Sequence, residues 1–303
     1  MKLTRRRTLT ALALSSAGVL QPGWAQPTPS QLLQPSPQPL QRQTLRVSDG
    51  VALSVLRTAA SSAAQETTVL FVPGWGMPAS LFTDNLLALA SLAPQTTCVA
   101  YDPRGQGESD APAHGYTLKR RTADLHEVLA PYQGVVLVAW SLGVLEALHY
   151  VHTYGHEKLA ALVLVDNSVG EPPAPKPGDF LQRLRADRAA TVERFVRGLF
   201  ATPQPEARIE EIKRSALKTT LEQSIALLSY PMPREHWRRA ARAFPKPLAY
   251  LVTPRFATQA HNLKAARPAT RIEIFKNAGH ALFVDEAARF NAVVAGVLRD
   301  AGP

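Results

Sequence analysis

Short apolar runs alternate with longer mixed stretches along most of this chain. Residues 69–72, 97–101, 135–139, 162–165, 248–252 and 271–275 are the apolar runs. Runs of that length without polar alternation suit strands buried on both faces, and the stretches between them have room for crossover helices. The pattern predicts a mostly parallel central sheet with helices on both faces, an α/β architecture. The entry to the sheet reads differently. Residues 44–47 and 51–56 flank Ser48-Asp49-Gly50, and Asp-Gly between two such runs predicts a hairpin.

One interval breaks the alternation. Between Val165 and Leu248 no strand pattern occurs, and residues 179–200, 205–228 and 234–244 read as amphipathic helices. Roughly eighty residues is too long for a structureless loop inside a compact domain. A helical cap over residues 169–245, inserted into a core of residues 44–168 and 246–303, is the expected organisation. Such a cap can close over a pocket and exclude water.

The start of the chain belongs to neither part. Residues 1–7 are basic, residues 8–20 are apolar and small, and Gly23-Trp24-Ala25 offers small residues around a cleavage point. That order is a secretory signal over residues 1–25, with an apolar stretch too short to span a bilayer. Paired arginines in Thr4-Arg5-Arg6-Arg7-Thr8 match a twin-arginine signal, although Thr8 stands where an aromatic is usual. Cleavage near Ala25 and export to a bacterial periplasm are expected, with no stable membrane anchor. Residues 26–43, rich in Pro and Gln, read as a flexible leader.

Charge changes this picture little. The formal net charge is +10, and residues 1–25 hold four basic residues and no acid, which leaves +6 after their removal. No basic–aromatic nucleic-acid motif accompanies the charge, so it reads as solvated Arg-rich helices. Cys98, the single cysteine, sits in an apolar run and reads as a buried structural thiol.

The chemistry concentrates at strand ends. The run 135–139 enters Trp140-Ser141-Leu142-Gly143, and a helical stretch follows from Val144 to Tyr154. Strand, tight turn, Ser, helix is a nucleophile elbow. Its crossing is so close that the residues two before and two after the Ser must be small, here Ala139 and Gly143. The helix N-terminus beneath Ser141 favours developing negative charge. Val72-Pro73-Gly74-Trp75-Gly76 ends an earlier strand. In folds with such an elbow that loop supplies an oxyanion donor, so the backbone N–H groups of Trp75 and Leu142 are the expected pair. His280, in Asn277-Ala278-Gly279-His280-Ala281, follows the last strand and is suited to carry the Ser141 proton. The other seven histidines read as solvent-facing or packing residues.

With these motifs in hand, the chain resembles the α/β-hydrolase family from about Thr44 onward. It is similar to the esterase and cofactor-free haloperoxidase branch. Gly74-Trp75-Gly76 and Trp140-Ser141-Leu142-Gly143 also resemble pimeloyl-acyl-carrier-protein methyl esterases. The segment from Asp102 to Ser109 (Asp-Pro-Arg-Gly-Gln-Gly-Glu-Ser) corresponds to a family loop read as structural, a turn pinned by Arg104. Pro73 stands where the family usually has His, and Ala139 where it usually has Gly. The resemblance implies the order Ser, acid, His, with the acid usually after the penultimate strand. Here residues 253–259 contain no carboxylate. Asp166, at the end of the run 162–165, is the expected substitute, as in haloalkane dehalogenases. Asp285 reads instead as a charge at the start of the last helix.

The expected activity is that of an exported carboxylesterase-like serine hydrolase. It would act on a small-molecule ester, lactone or thioester, with perhydrolysis as a side activity. No metal or cofactor is expected, since no ligand-spaced His/Cys cluster occurs. The oligomeric state is left open. The alternative is a ligand-binding protein on the same fold, motivated by Pro73 and by the missing acid after the penultimate strand.

Overall fold

The structure, a computed structural model, describes residues 40–59, 67–176 and 178–302. The expected export signal and residues 26–39 of the leader lie outside the described residues.

Among the described residues the sheet has eight strands: β1 (Gln41–Arg46), β2 (Ala52–Arg57), β3 (Thr67–Val72), β4 (Thr96–Tyr101), β5 (Val135–Trp140), β6 (Leu159–Val165), β7 (Leu248–Val252) and β8 (Arg271–Ile274). Their spatial order is β1-β2-β4-β3-β5-β6-β7-β8. The β1–β2 and β2–β4 pairs are antiparallel, and every pair from β4 to β8 is parallel. The crossover between β3 and β4 breaks the sequential order, so the ends of β3 and β5 lie side by side.

The hairpin residues 44–47 and 51–56 extend further than the sequence indicates. β1 begins at Gln41 and pairs with β2 from Gln41↔Arg57 to Arg46↔Ala52. The leader therefore stops short of Gln41 rather than reaching residue 43. The strand's residues are almost all exposed, so ladder hydrogen bonds and not apolar content make it a strand, and its sequence carries no hydrophobic signal.

The inner strands are buried on both faces, which their sequence implied. In β5, Val136, Val138 and Trp140 join one apolar cluster while Val135, Leu137 and Ala139 join the other, as a period of two requires. The first face is covered by α1 (Thr83–Leu92) and α11 (Ala287–Ala301). The second is covered by α2 (Leu118–Leu129), α3 (Leu142–Tyr154) and α9 (Ala257–Ala266).

Among the described residues five helices lie between β6 and β7: α4 (Phe180–Ala186), α5 (Arg188–Arg197), α6 (Glu206–Leu217), α7 (Leu221–Leu228) and α8 (Arg234–Ala243). The expected helix 179–200 is cut at Asp187, whose side chain accepts from Ala190 N at 3.0 Å and starts a new helix. The expected helix 205–228 is cut by a capping box at Thr220 and Gln223. Such caps satisfy the free N–H groups of a helix start. Apolar residues of α4 to α7, among them Leu184, Val196, Ile212 and Leu227, belong to the first cluster. α8 departs from the expected cap. Its Trp237, Ala240 and Ala241 join the second cluster with α3 residues Val144, Ala147 and Leu148, so it is part of the layer covering the sheet.

Candidate active site

Ser141 occupies the turn between β5 and α3 with φ 54° and ψ −121°. A positive φ is costly for a residue with a Cβ, about 1–2 kcal/mol, so the neighbours must hold it. Ser141 N–H donates to Val165 O at 2.9 Å, and Ser141 O accepts from Val144 N at 2.9 Å and from Asn167 Nδ2 at 2.8 Å. The close crossing is visible at Gly143, where an added Cβ would lie 2.6 Å from Val72 O. Ala139 lies within β5, paired to Val72 and Leu164, and is not among the positive-φ residues. That is why Ala suffices there.

His280 sits in the loop between β8 and the short helix α10 (Leu282–Asp285). Its Nε2 is 2.9 Å from Ser141 Oγ and its Nδ1 is 2.7 Å from Asp166 Oδ2. A carboxylate only accepts, so Nδ1 carries the proton and Nε2 presents its lone pair to the hydroxyl. Trp140 Nε1 donates to His280 O at 2.8 Å and fixes the loop beneath the ring.

Asp166 terminates β6 with φ 48° and a side chain 2% exposed. Its N–H donates to Leu251 O at 2.9 Å. Its Oδ1 accepts from the N–H and hydroxyl of Thr253, at 2.7 and 2.8 Å. Tyr250, behind it, is pushed well above its ordinary value by burial and then by the Asp166 charge. It stays protonated and donates to Asn167 O at 2.6 Å.

Gly74 brings the second loop against the serine: a Cβ there would lie 2.9 Å from Ser141 Cβ. Gln106 Nε2 donates to Gly74 O at 3.0 Å. In a trans peptide the carbonyl and the following N–H point in opposite directions, so this contact turns Trp75 N–H away from Gln106. The Leu142 N–H belongs to the first turn of α3, where backbone donors have no partner within the helix. Ser141, His280 and Asp166 thus form one hydrogen-bonded line, with Leu142 next to Ser141 and the Gly74-Trp75 peptide alongside.

The alpha/beta hydrolase family model matches residues 69–293 of this chain, well over half of it. The chain belongs to the alpha/beta hydrolase family. This hydrolase is 24% identical to the AB hydrolase superfamily protein YisY of Bacillus subtilis over 247 residues, 75% of this chain and 90% of that one. A chloroperoxidase-like protein of Synechocystis sp. is 38% identical over 69 residues, only 22% of this chain and 25% of that relative. Among solved structures, a bromoperoxidase from Bacillus anthracis matches with a TM-score of 0.71 at 21% identity, covering 86% of this chain and 100% of that one. The esterase EaEST from Exiguobacterium antarcticum matches with a TM-score of 0.68 at 20% identity, covering 84% and 98%. At such identities the likeness establishes the fold, and it agrees with the α/β-hydrolase fold expected from the motifs.

The roles of Thr253 and Gln106 in this hydrolase's site escaped the sequence reading. Thr253 stands directly after β7, where the family usually has its acid, and serves Asp166 as a double donor. Gln106 links the family loop to Gly74. Its Oε1 accepts from Arg121 at 3.1 Å, and Arg121 pairs with Glu146 at 3.0 Å, all three residues being buried. Arg104, the expected pin of the same loop, anchors it on Asp124 at 2.6 Å. Asp285 is not spent on a helix start. It ends α10, and its carboxylate accepts from Gly279 N at 2.8 Å, Ala201 N at 2.9 Å and Thr202 N at 3.0 Å. It ties the His280 loop to the segment after α5. The signal for that role was weak, since Asp285 is six residues from Gly279 and more than eighty from Ala201.

Proposed function

We propose that this protein is a serine hydrolase that cleaves carboxylic esters through an acyl-serine intermediate. The carrying observation is the continuous line from Ser141 through His280 to Asp166, at 2.9 and 2.7 Å, set at the N-terminus of α3. Ser141 Oγ attacks the ester carbonyl while its proton passes to His280 Nε2. The carbonyl oxygen gains the charge and is held by the N–H groups of Trp75 and Leu142, each such donor being worth ~10²–10³ in rate. Collapse of the tetrahedral species expels the alcohol, which takes the proton from Nε2. Water then attacks the acyl-serine with His280 as base, releasing the acid and restoring Ser141. Asp166 holds the imidazole in the required tautomer and offsets the charge of the imidazolium.

Esterases recur among the structural neighbours, which favours an ester as the scissile bond. The ligand-binding alternative drew on Pro73 and on the missing acid after β7; the contact of Asp166 with His280 weighs against the second of these. The test is a fluorophosphonate probe at neutral pH. Adduct mass on the peptide bearing Ser141, lost in Ser141→Ala, supports the reading. A wild-type protein that takes no label refutes it.

A further inference from the structure

A cavity of about 280 Å³ opens beside His280. Its walls come from two parts of the molecule. Phe180 and Phe195, from α4 and α5, supply aromatic surface and meet the Trp75 ring at centroid distances of 5.6 and 5.5 Å. Arg183, Arg194 and Arg255 supply the rest of the functional lining, and no carboxylate is among the lining residues. Arg183 carries an i,i+4 ion pair to Asp179 at 2.9 Å. Among the described residues, neither Arg194 nor Arg255 has a carboxylate within ion-pair distance. Arg255 instead lies over the Phe256 ring, 5.3 Å from its centroid, on the segment that begins with Thr253.

Three arginines line one small cavity, and only Arg183 has a carboxylate partner among the described residues. Other arginines also stand without a carboxylate, Arg185 and Arg214 among them, so what sets Arg194 and Arg255 apart is that both line one cavity with His280. Unmatched arginines converging beside a reactive imidazole make a receptor for a planar anion, since the guanidinium fork fits a carboxylate with two parallel hydrogen bonds. The cavity volume lies at the lower end for small-ligand sites, so the acyl portion is short. The aromatic walls accept its methylenes.

Building on the ester-hydrolase reading, we infer that the substrate carries a carboxylate at the far end of its acyl chain. The site is built for monoesters of short dicarboxylic acids, with Arg194 and Arg255 binding the free carboxylate while the ester carbonyl reaches Ser141. The arginines are exposed at the rim, so their attraction acts on capture and weakens with salt.

The experiment compares monomethyl glutarate with methyl pentanoate, an uncharged ester of equal acyl length, by acid release at constant pH. Each protein sample is measured on both esters, so a loss of folded protein cancels in the ratio. The charged ester is expected to have the higher kcat/KM at low salt by about tenfold, with the advantage shrinking at high salt. In the double variant Arg194→Gln, Arg255→Gln the ratio falls to about one, and in Arg194→Glu, Arg255→Glu it inverts. Binding of glutarate itself, followed by calorimetry, needs no turnover. Wild type binds and both variants do not. Equal turnover of the two esters without glutarate binding overturns the anion site and leaves the ester-hydrolase reading intact. Glutarate binding that depends on the arginines, in a protein that turns over neither ester and takes no fluorophosphonate, does the reverse.

Discussion

Thr253 donates its N–H and its hydroxyl to the same oxygen of Asp166, Oδ1, at 2.7 and 2.8 Å, and leaves Oδ2 to His280. The carboxylate cannot rotate without losing one of these bonds, so its facing to the imidazole is set before substrate arrives. In the proposed mechanism Asp166→Asn is expected to lower kcat on a nitrophenyl ester by about 10³–10⁴, since an amide can present its donor to His280 and favour the wrong tautomer. Thr253→Val removes one donor and keeps the shape. A drop in kcat of about tenfold is expected, with KM little changed. Steady-state kinetics on the two variants check this, and an Asp166→Asn enzyme near wild-type activity would discard Asp166 as the acid.

Gly74 and Gln106 govern the second loop. Because a Cβ at Gly74 would sit 2.9 Å from Ser141 Cβ, Gly74→Ala must displace either the loop or the serine. A fall in kcat of about 10²-fold or more is expected, comparable to loss of an oxyanion donor. Gln106→Leu removes the amide that turns the Gly74 carbonyl and strips one acceptor from buried Arg121. It should cost about 1–3 kcal/mol of stability and lower kcat more than it raises KM. Denaturant titration and kinetics on the same preparation separate the two effects.

The imidazoles of α3 and α8 carry an acid sensitivity that lies away from Ser141. His149 Nδ1 and His236 Nε2 are 3.0 Å apart, and the His152 ring lies 4.6 Å from that of His236. Burial, then the charges of His152 and His149, lowers His236 from 6.5 to about 4, and burial lowers His149 as well. The folded values lie below the unfolded ones, so the unfolded chain binds more protons through this range. This contribution to stability is complete above about pH 6.5 and is lost as pH falls toward about 4. Chemical denaturation at several pH values should show the slope, and His236→Gln should flatten it. An unchanged slope would remove these histidines as its source.

Residues 1–25 lie outside the described residues, and the export signal proposed for them is tested by expression. Expressed in a bacterium with residues 1–25 in place, the protein is expected in the periplasm with Gln26 as its first residue, read by intact mass. Replacing Arg5 and Arg6 by Lys should block export if the twin-arginine route is used. Unprocessed protein in the cytoplasm of the wild type would refute the signal.

The sequence alone determined what local chemistry controls. The apolar runs marked β3 to β7 because a strand buried on both faces has little room for polar side chains, whereas β8 is half-buried along its length and alternates Arg271 and Glu273 with Ile272 and Ile274. The elbow was legible because Ala139 and Gly143 answer a crossing only a few residues long, and Gly74-Trp75 and His280 were legible as strand-end loops. Asp166 came from the resemblance: residues 253–259 hold no acid where the family usually has one, and haloalkane dehalogenases place it at the strand end that Asp166 occupies.

Tertiary structure alone decided the partnerships. Thr253 meets Asp166 because β6 and β7 run parallel in a register that pairs Val165 with Leu251, which brings together residues far apart in the chain. Asp285 reaches Ala201 and Gln106 reaches Gly74 in the same way, across loops that leave no periodic trace. β1 was hidden because an exposed strand is made by its ladder, and α8 was misassigned because periodicity shows that a helix has an apolar face without showing what that face covers. A side chain's role at this site depends on which strand ends lie next to each other, and the β3–β4 crossover and parallel registers set that order over distances no local pattern spans.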